Sequence, residues 1–319
     1  MKEGIPKISV LIITYNQEDV IKRTVESLIE QKDYIYEICI SDDCSKDKTW
    51  DILLYYSREY PGLFVLNRNN PNIGIFQNVE KSWTMPSGDL VYQMAGDDEC
   101  GNGWFQKVVE FIEEKQIDYK NDLFCIYGDY KAVYPNGDNV RVSNSYVQNM
   151  NIPPFSMALR HLIENRSTCF SSGVLKKFKY VSQGRSHMAE EIQSRQIQMF
   201  SKNNYYIHHT GNIYYTNIGV SAHINESTHN ERQKLADYTI QKATEMGYEI
   251  DEKDKNYMYF TKALFQAKYT NKFSDYYKAF VYYIKSYDPK VGLKGLRFKR
   301  IVFAIIRRLP HKKPISMTI

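Results

Sequence analysis

No apolar stretch in this 319-residue chain approaches the ~20 residues that span a bilayer. The opening residues, Met1-Lys-Glu-Gly-Ile-Pro-Lys7, pass straight into a strand pattern with no signal-peptide h-region. Five cysteines (Cys39, Cys44, Cys100, Cys125, Cys169) are odd in number and lack any C-x-x-C spacing, which a reducing cytoplasm accommodates most simply. No G-x-G-x-x-G follows the first strand, which counts against a dinucleotide-dependent dehydrogenase. His208, His209, His223 and His229 do not have zinc-site spacing and read as polar or site-rim residues, one of which could add a ligand to a diphosphate or metal. Internal repeats and long linkers are also absent.

The C-terminal tail combines a lack of acid with a run of base. From residue 289 onward there are nine Lys/Arg and no Asp/Glu, so the net charge of +5 belongs to the tail. The remainder holds 33 basic and 37 acidic residues, which argues against a nucleic-acid-binding body. With 25% charged and 43% hydrophobic residues, the composition is that of an ordinary globular protein.

What is present is an alternation of strand and helix patterns. Ser9-Val-Leu-Ile-Ile13 is a continuous apolar run, as expected of a strand buried on both faces. Asn16 reads as an N-cap with Asp19 at N3, followed by Val20, Ile21, Thr24, Val25, Leu28 and Ile29 on one helical face. A second strand ends at Ser41, Lys48 to Tyr60 reads as helix, and Leu63 to Leu66 as a third strand. A turn-rich loop (Asn69-Asn-Pro-Asn72, Gly74) leads into a helix ending near Trp83. A fourth strand precedes Gly96-Asp-Asp98, and Trp104 to Lys115 is helical. This order predicts an α/β fold with a doubly wound parallel sheet. Further on, Pro135-Asn-Gly-Asp138 marks a hairpin between strands at 123–134 and 140–142. Helices are expected at 155–164 and 187–200, short strands at 205–207 and 213–215, and only helix from about Glu226.

Two aspartate pairs, Asp42-Asp43 and Asp97-Asp98, each follow an apolar strand. Ligands of parallel α/β sheets sit beyond the carboxyl ends of the strands. Adjacent carboxylates repel unless a cation or donor groups join them, so the pairs point to nucleotide and divalent-metal chemistry.

Six segments, in order, carry a resemblance: SVLIITYN (9–16), EICISDDCSKDKT (37–49), NPNIGIFQN (70–78), SGDLVYQMAGDD (87–98), FSSGVLKK (170–177) and AEEIQSR (189–195). Over roughly its first 220 residues the chain resembles the family 2 glycosyltransferases. That resemblance implies the GT-A fold over 1–225, a mostly parallel doubly wound sheet, with 226–319 left as a helical appendage. It implies a UDP-sugar donor, with Thr14 and Tyr15 along the uridine and Asp43 accepting from the uracil N–H. Gly74 and Asn78 match the G-x-x-x-N of the donor loop, although Gln77 replaces the Arg often found before that Asn, leaving Arg68 or Lys81 as substitutes. Asp97 is expected at the ribose or donor sugar, and Asp98 on Mg²⁺ or Mn²⁺. Glu191 is expected to be the general base, with Glu190 the other candidate; an acidic helix start would explain the pair without catalysis. Cys44 stands where the family usually has Gly.

The implied activity is inverting, metal-dependent transfer of a sugar to an acceptor hydroxyl, on a glycan or lipid-linked glycan of surface polysaccharide assembly. A processive synthase is disfavoured because Q-x-x-R-W and membrane spans are both lacking. The rival from another class is a non-catalytic nucleotide-sugar-binding or scaffold subunit. Residues 292–313 mix Lys/Arg with Leu296, Phe298 and Ile301-Val-Phe-Ala-Ile-Ile306, which suits either peripheral contact with the inner face of a membrane or packing on the domain.

Overall fold

The computed structural model describes residues 4–145, 154–160, 165–178, 189–216, 226–245 and 247–289. The chain gathers into two compact units, one of residues 1–148 with 163–222, the other of 149–162 with 223–319.

The first unit begins as the sequence pattern predicts. Strands β1 (Ile8–Thr14), β2 (Glu37–Asp42), β3 (Phe64–Arg68) and β4 (Leu90–Ala95) alternate with helices α1 (Ile21–Ile29), α2 (Thr49–Glu59) and α3 (Ile75–Ser82). These four strands pair in parallel in the order β3-β2-β1-β4. Ile8, Val10, Leu11, Ile12, Ile38, Ile40, Leu90 and Val91 are fully buried, as expected of central strands covered on both faces, whereas the edge strand β3 stays partly exposed. The sheet then turns mixed. After β5 (Glu99–Cys100) and α4 (Trp104–Glu114) come β6 (Phe124–Val133) and β7 (Asn139–Val142), the expected hairpin. Its turn closes with the Tyr134 N–H on the Asp138 carbonyl at 2.8 Å.

In the second unit, α5 (Pro154–Arg160) is the early helix. Back in the first, β8 (Thr168–Ser171) inserts antiparallel between β4 and β6 and runs into the single turn α6 (Ser172–Leu175). Helix α7 (Ala189–Phe200) precedes β9 (Asn203–Tyr215), which pairs in parallel with β6. The sequence predicts two short strands there, at 205–207 and 213–215. The structure has one, irregular opposite Tyr127–Tyr130, where polar His208 to Asn212 interrupt the apolar pattern without ending the pairing.

The other difference lies after β1. Helix α1 starts at Ile21 with Val20 before it and no side-chain cap. Asn16 instead takes a left-handed backbone (φ 51°) and its Oδ1 accepts from the Lys46 N–H at 2.8 Å. Asn favours this conformation because its short amide bonds locally.

The second unit is helical where described: α5, α8 (Glu226–Glu245), α9 (Glu252–Thr270) and α10 (Phe273–Lys285). A buried ion pair ties α5 to α9, with Arg160 Nε on Asp254 Oδ1 at 2.6 Å. Ser156 Oγ donates to the other carboxylate oxygen at 2.7 Å, and Arg160 Nη1 donates to the Ser286 carbonyl at 3.0 Å. Charges this deeply buried are tolerated only when paired and hydrogen-bonded. Asp254→Ala should therefore leave the Arg160 guanidinium uncompensated and cost about 3–5 kcal/mol, read as a shifted urea midpoint for the transition that reports the helical unit.

Candidate active site

The parallel register fixes which side chains meet. Thr14 lies opposite Asp42, and Ile13 lies opposite Ala95, so β1, β2 and β4 end at one edge. Two backbone bonds extend that alignment past the strands: Asp43 N–H to the Thr14 carbonyl (3.0 Å) and Gly96 N–H to the Ile13 carbonyl (3.2 Å). Thr14, Tyr15, Asp43 and the Gly96–Asp98 turn are thus brought together at the carboxyl edge. A Cβ on Gly96 would displace the Gln17 amide and lie 3.1 Å from the Ile13 carbonyl, so the turn approaches β1 closely here. Thr14 is buried with its hydroxyl on Gln17 Oε1 at 2.6 Å, whereas the Tyr15 ring is 43% exposed at the rim.

The first acid pair is held by protein donors. Asp42 accepts from the Ser45 N–H (3.0 Å) and hydroxyl and lies 3.5 Å from Arg68 Nε. Asp43 accepts from Asn69 Nδ2 (3.0 Å) and Ile73 N–H (2.9 Å) on one oxygen, and from Gly74 N–H (2.8 Å) on the other. Gly74 has φ 86°, a conformation open to glycine. The Asn78 side chain is buried and committed to Ser41 and Asn69, so its place is beneath the loop. Arg68 donates to the Ser45 carbonyl and Lys81 to Asn69 Oδ1. Cys44 holds φ 63°, the region where the glycine usual at this position would be unstrained. Asp47, just before α2, accepts from the Thr49 and Glu18 N–H groups. Those hydrogen bonds hold its pKa below the ordinary carboxylate value, outweighing the opposing effect of burial.

The second pair is held from behind by α1. Thr24 Oγ1 lies 2.9 Å from the Gly96 carbonyl and 2.7 Å from that of Asp98, and Arg23 Nη2 donates to the Asp97 carbonyl at 2.7 Å. Arg23 is itself sandwiched, 3.5 Å above the Tyr215 ring and 3.7 Å from Glu99. Asp98 is buried, with Asn212 Nδ2 at 3.5 Å. Burial pushes the Asp97 carboxyl above its ordinary pKa, against the pull of Arg23 and Arg166. Arg166 lies 3.5 Å over the Tyr214 ring.

Among the described residues, no group of three or more His, Cys, Asp or Glu could hold an ion by itself. The oxygen donors at this edge are the Asp97 and Asp98 carboxylates and, behind them, Asn212, whose Oδ1 is buried without a hydrogen-bond partner. One or two carboxylates suit an Mg²⁺- or Mn²⁺-like ion that takes its other ligands from phosphates and water. The set present therefore fits such an ion.

Glu190 and Glu191 fall in the first turn of α7, but their side chains lie outside the described residues, as do His223 and the segment 292–313. Of the described histidines, His208 Nδ1 lies 3.0 Å from the Tyr206 hydroxyl and His209 Nε2 2.7 Å from the Asn102 carbonyl, while His229, in the second unit, stacks on Tyr269. Sequence reasoning missed Arg23, Thr24 as a loop anchor, Arg166, Asn212 and Tyr215. Thr24 was legible only as a helix-face residue, and the others carry no motif.

A family model described as "Glycosyl transferase family 2" matches residues 9–181. EpsE of Bacillus subtilis (strain 168), provisionally named a glycosyltransferase, is 28% identical over 109 residues, 34% of this chain and 39% of EpsE. TuaG of the same organism, provisionally named a teichuronic acid biosynthesis glycosyltransferase, is 32% identical over 111 residues, 34% of this chain and 43% of TuaG. The chain thus spans about two fifths of the length of these curated relatives. The fold is that of S. aureus TarS 1-349, solved in complex with UDP, at TM-score 0.60 and 15% identity over 95% of this chain and 81% of that one.

A carboxyl with a raised folded pKa makes the fold more stable as pH falls toward that pKa, and its ionised form costs stability above it. Asp97→Asn should therefore raise the melting temperature at neutral pH, with a gain that shrinks as the buffer is taken down through the acidic range. Parallel thermal melts of both proteins across pH check this sign.

Proposed function

The chain belongs to glycosyl transferase family 2, and from that premise we propose that it transfers a sugar from a UDP-sugar to an acceptor sugar hydroxyl with inversion, in surface polysaccharide assembly. The observation that carries this reading is the shared edge at which Tyr15, Asp43 and Asp97–Asp98 end. The TarS complex with UDP supports the choice of nucleotide, and the teichuronic acid pathway in the name of TuaG supports the setting.

Each residue has work suited to its chemistry. The exposed Tyr15 ring offers a face on which a uracil can stack. A carboxylate has about four lone-pair sites; the loop occupies three on Asp43, leaving one for the uracil N–H. Gly74 and Asn78 set the position of that loop, and Thr14 fixes the start of the uridine edge. Asp97 faces the ribose or donor sugar, and Asp98 holds Mg²⁺ or Mn²⁺. When bound, such an ion stabilises negative charge on the departing diphosphate. Glu191 takes the proton from the acceptor hydroxyl, which attacks the anomeric carbon from the face opposite UDP; Glu190 is the alternative base. Inversion follows from a single displacement, with an oxocarbenium-like transition state as in glycoside hydrolysis.

Catalysis belongs to 1–225 apart from the segment 149–162, which joins 226–319 in a helical appendage, and it works in the cytoplasm on a glycan or lipid-linked glycan. Among the described residues no helix is long and apolar enough to cross a membrane, and peripheral contact is assigned to 292–313.

UDP release from a panel of UDP-sugars should single out one donor, proceed with Mn²⁺, stop with EDTA, and be lost in Asp98→Asn. Transfer to a glycan acceptor should fall by about 10²–10⁴-fold in Glu191→Gln. Tight UDP binding with no turnover of any donor, with acceptors present, would instead identify a nucleotide-sugar-binding scaffold.

A further inference from the structure

Helix α10 and the residues just past it carry Phe273, Tyr277, Phe280, Ile284 and Tyr287. Steps of four, three, four and three put all five on one strip of a helix. All are exposed, Phe273 at 72% and Tyr277 at 62%. A neighbouring face, about a quarter-turn round, does the packing: Ala279 and Tyr283 are buried with Tyr257, Phe260, Ala263 and Leu264 of α9. The helix therefore buries one apolar face and presents a second. Scattered exposed apolar residues need no explanation, but five in line mark a contact surface.

The charges beside the strip have one dominant sign. Lys278 and Lys285 are exposed along one flank and Lys272 precedes the helix, while its acid, Asp275, accepts from Thr270 Oγ1 at 2.5 Å. Residues 290–313 then add nine Lys/Arg and no acid. A second copy docked on the same strip would bring Lys272, Lys278 and Lys285 together against only Asp275 and Asp288. Phe and Tyr rings with flanking lysines suit the boundary between headgroups and acyl chains, where an aromatic body is buried and a hydroxyl or ammonium stays wet.

We propose that the α10 strip is a docking face for an anionic lipid surface. Its aromatic rings enter the headgroup level, Lys278 and Lys285 meet lipid phosphates, and the basic sequence after residue 289 adds long-range attraction. This surface is independent of the donor chemistry, so failure of either reading leaves the other standing.

The test is co-sedimentation of the full chain with phosphatidylcholine vesicles, with and without phosphatidylglycerol. Binding should require the anionic lipid and weaken as salt is raised. The triple variant Tyr277→Ser, Phe280→Ser, Ile284→Ser changes exposed side chains only, and an unchanged melting temperature verifies its fold. It should lose about tenfold or more in partitioning. A second variant with the Lys/Arg of 290–313 changed to Gln should lose salt dependence yet keep a residual, strip-dependent affinity. Wild-type affinity in the strip variant would overturn the proposal and assign binding to the tail alone. So would a concentration-dependent dimer, lost in the strip variant, from a wild type that ignores vesicles.

Discussion

The in-register parallel pairing of β1 with both β2 and β4 is the constraint on which the site depends. Because those strands end together, residues far apart in sequence leave the sheet at one edge without further folding. The loops beyond are then laced to one another. Asn16, Gln17 and Glu18 donate backbone N–H groups to Ser45, Thr49 and Asp47, and Lys46 and Lys48 return bonds to Asn16 and Glu18. Loops tied this closely at both ends lose little further entropy on meeting a ligand.

The two aspartate pairs solve the same electrostatic problem differently. Around Asp42 and Asp43 the protein supplies the donors itself, and the bonds that satisfy Asp43 also fold the 69–74 loop. Around Asp97 and Asp98 the donors act on the backbone, through Thr24 and Arg23, while burial makes the ionised Asp97 carboxylate costly. Stability is thus spent at the position where an incoming cation would restore it, a common arrangement at functional sites. The β2 pair builds the platform, and the β4 pair is the one the proposed reaction uses.

Much of the first unit was legible because a buried parallel strand writes an unmistakable apolar run, as at Ser9 to Ile13. Local bonding choices were less so: Asn16 as a helix cap and Asn16 in a left-handed turn use the same short amide, and the decision lies with Lys46, thirty residues away. The short β8 carries only Thr168-Cys-Phe-Ser171 and takes its strand character from neighbours on both sides. Polar His208 to Asn212 hid the continuity of β9, which β6 enforces. At the site, Asp43, Asp97 and Asp98 stood out by motif. Arg23 and Asn212 did not, because a residue that acts by bracing another leaves no local pattern. Segment 149–162 joins the helical unit through Arg160 and Asp254, a pairing across 94 residues that no periodicity announces.

The central claim is that a uridine diphosphate is bound at the edge shared by β1, β2 and β4. Calorimetric titration of UDP with Mn²⁺ into the wild type, Tyr15→Ala and Asp98→Asn tests it most directly. The account predicts saturable binding that Tyr15→Ala weakens by about 1–3 kcal/mol through lost stacking, and that Asp98→Asn uncouples from the metal. UDP binding of wild-type strength and metal dependence in both variants would place the nucleotide elsewhere and contradict the account.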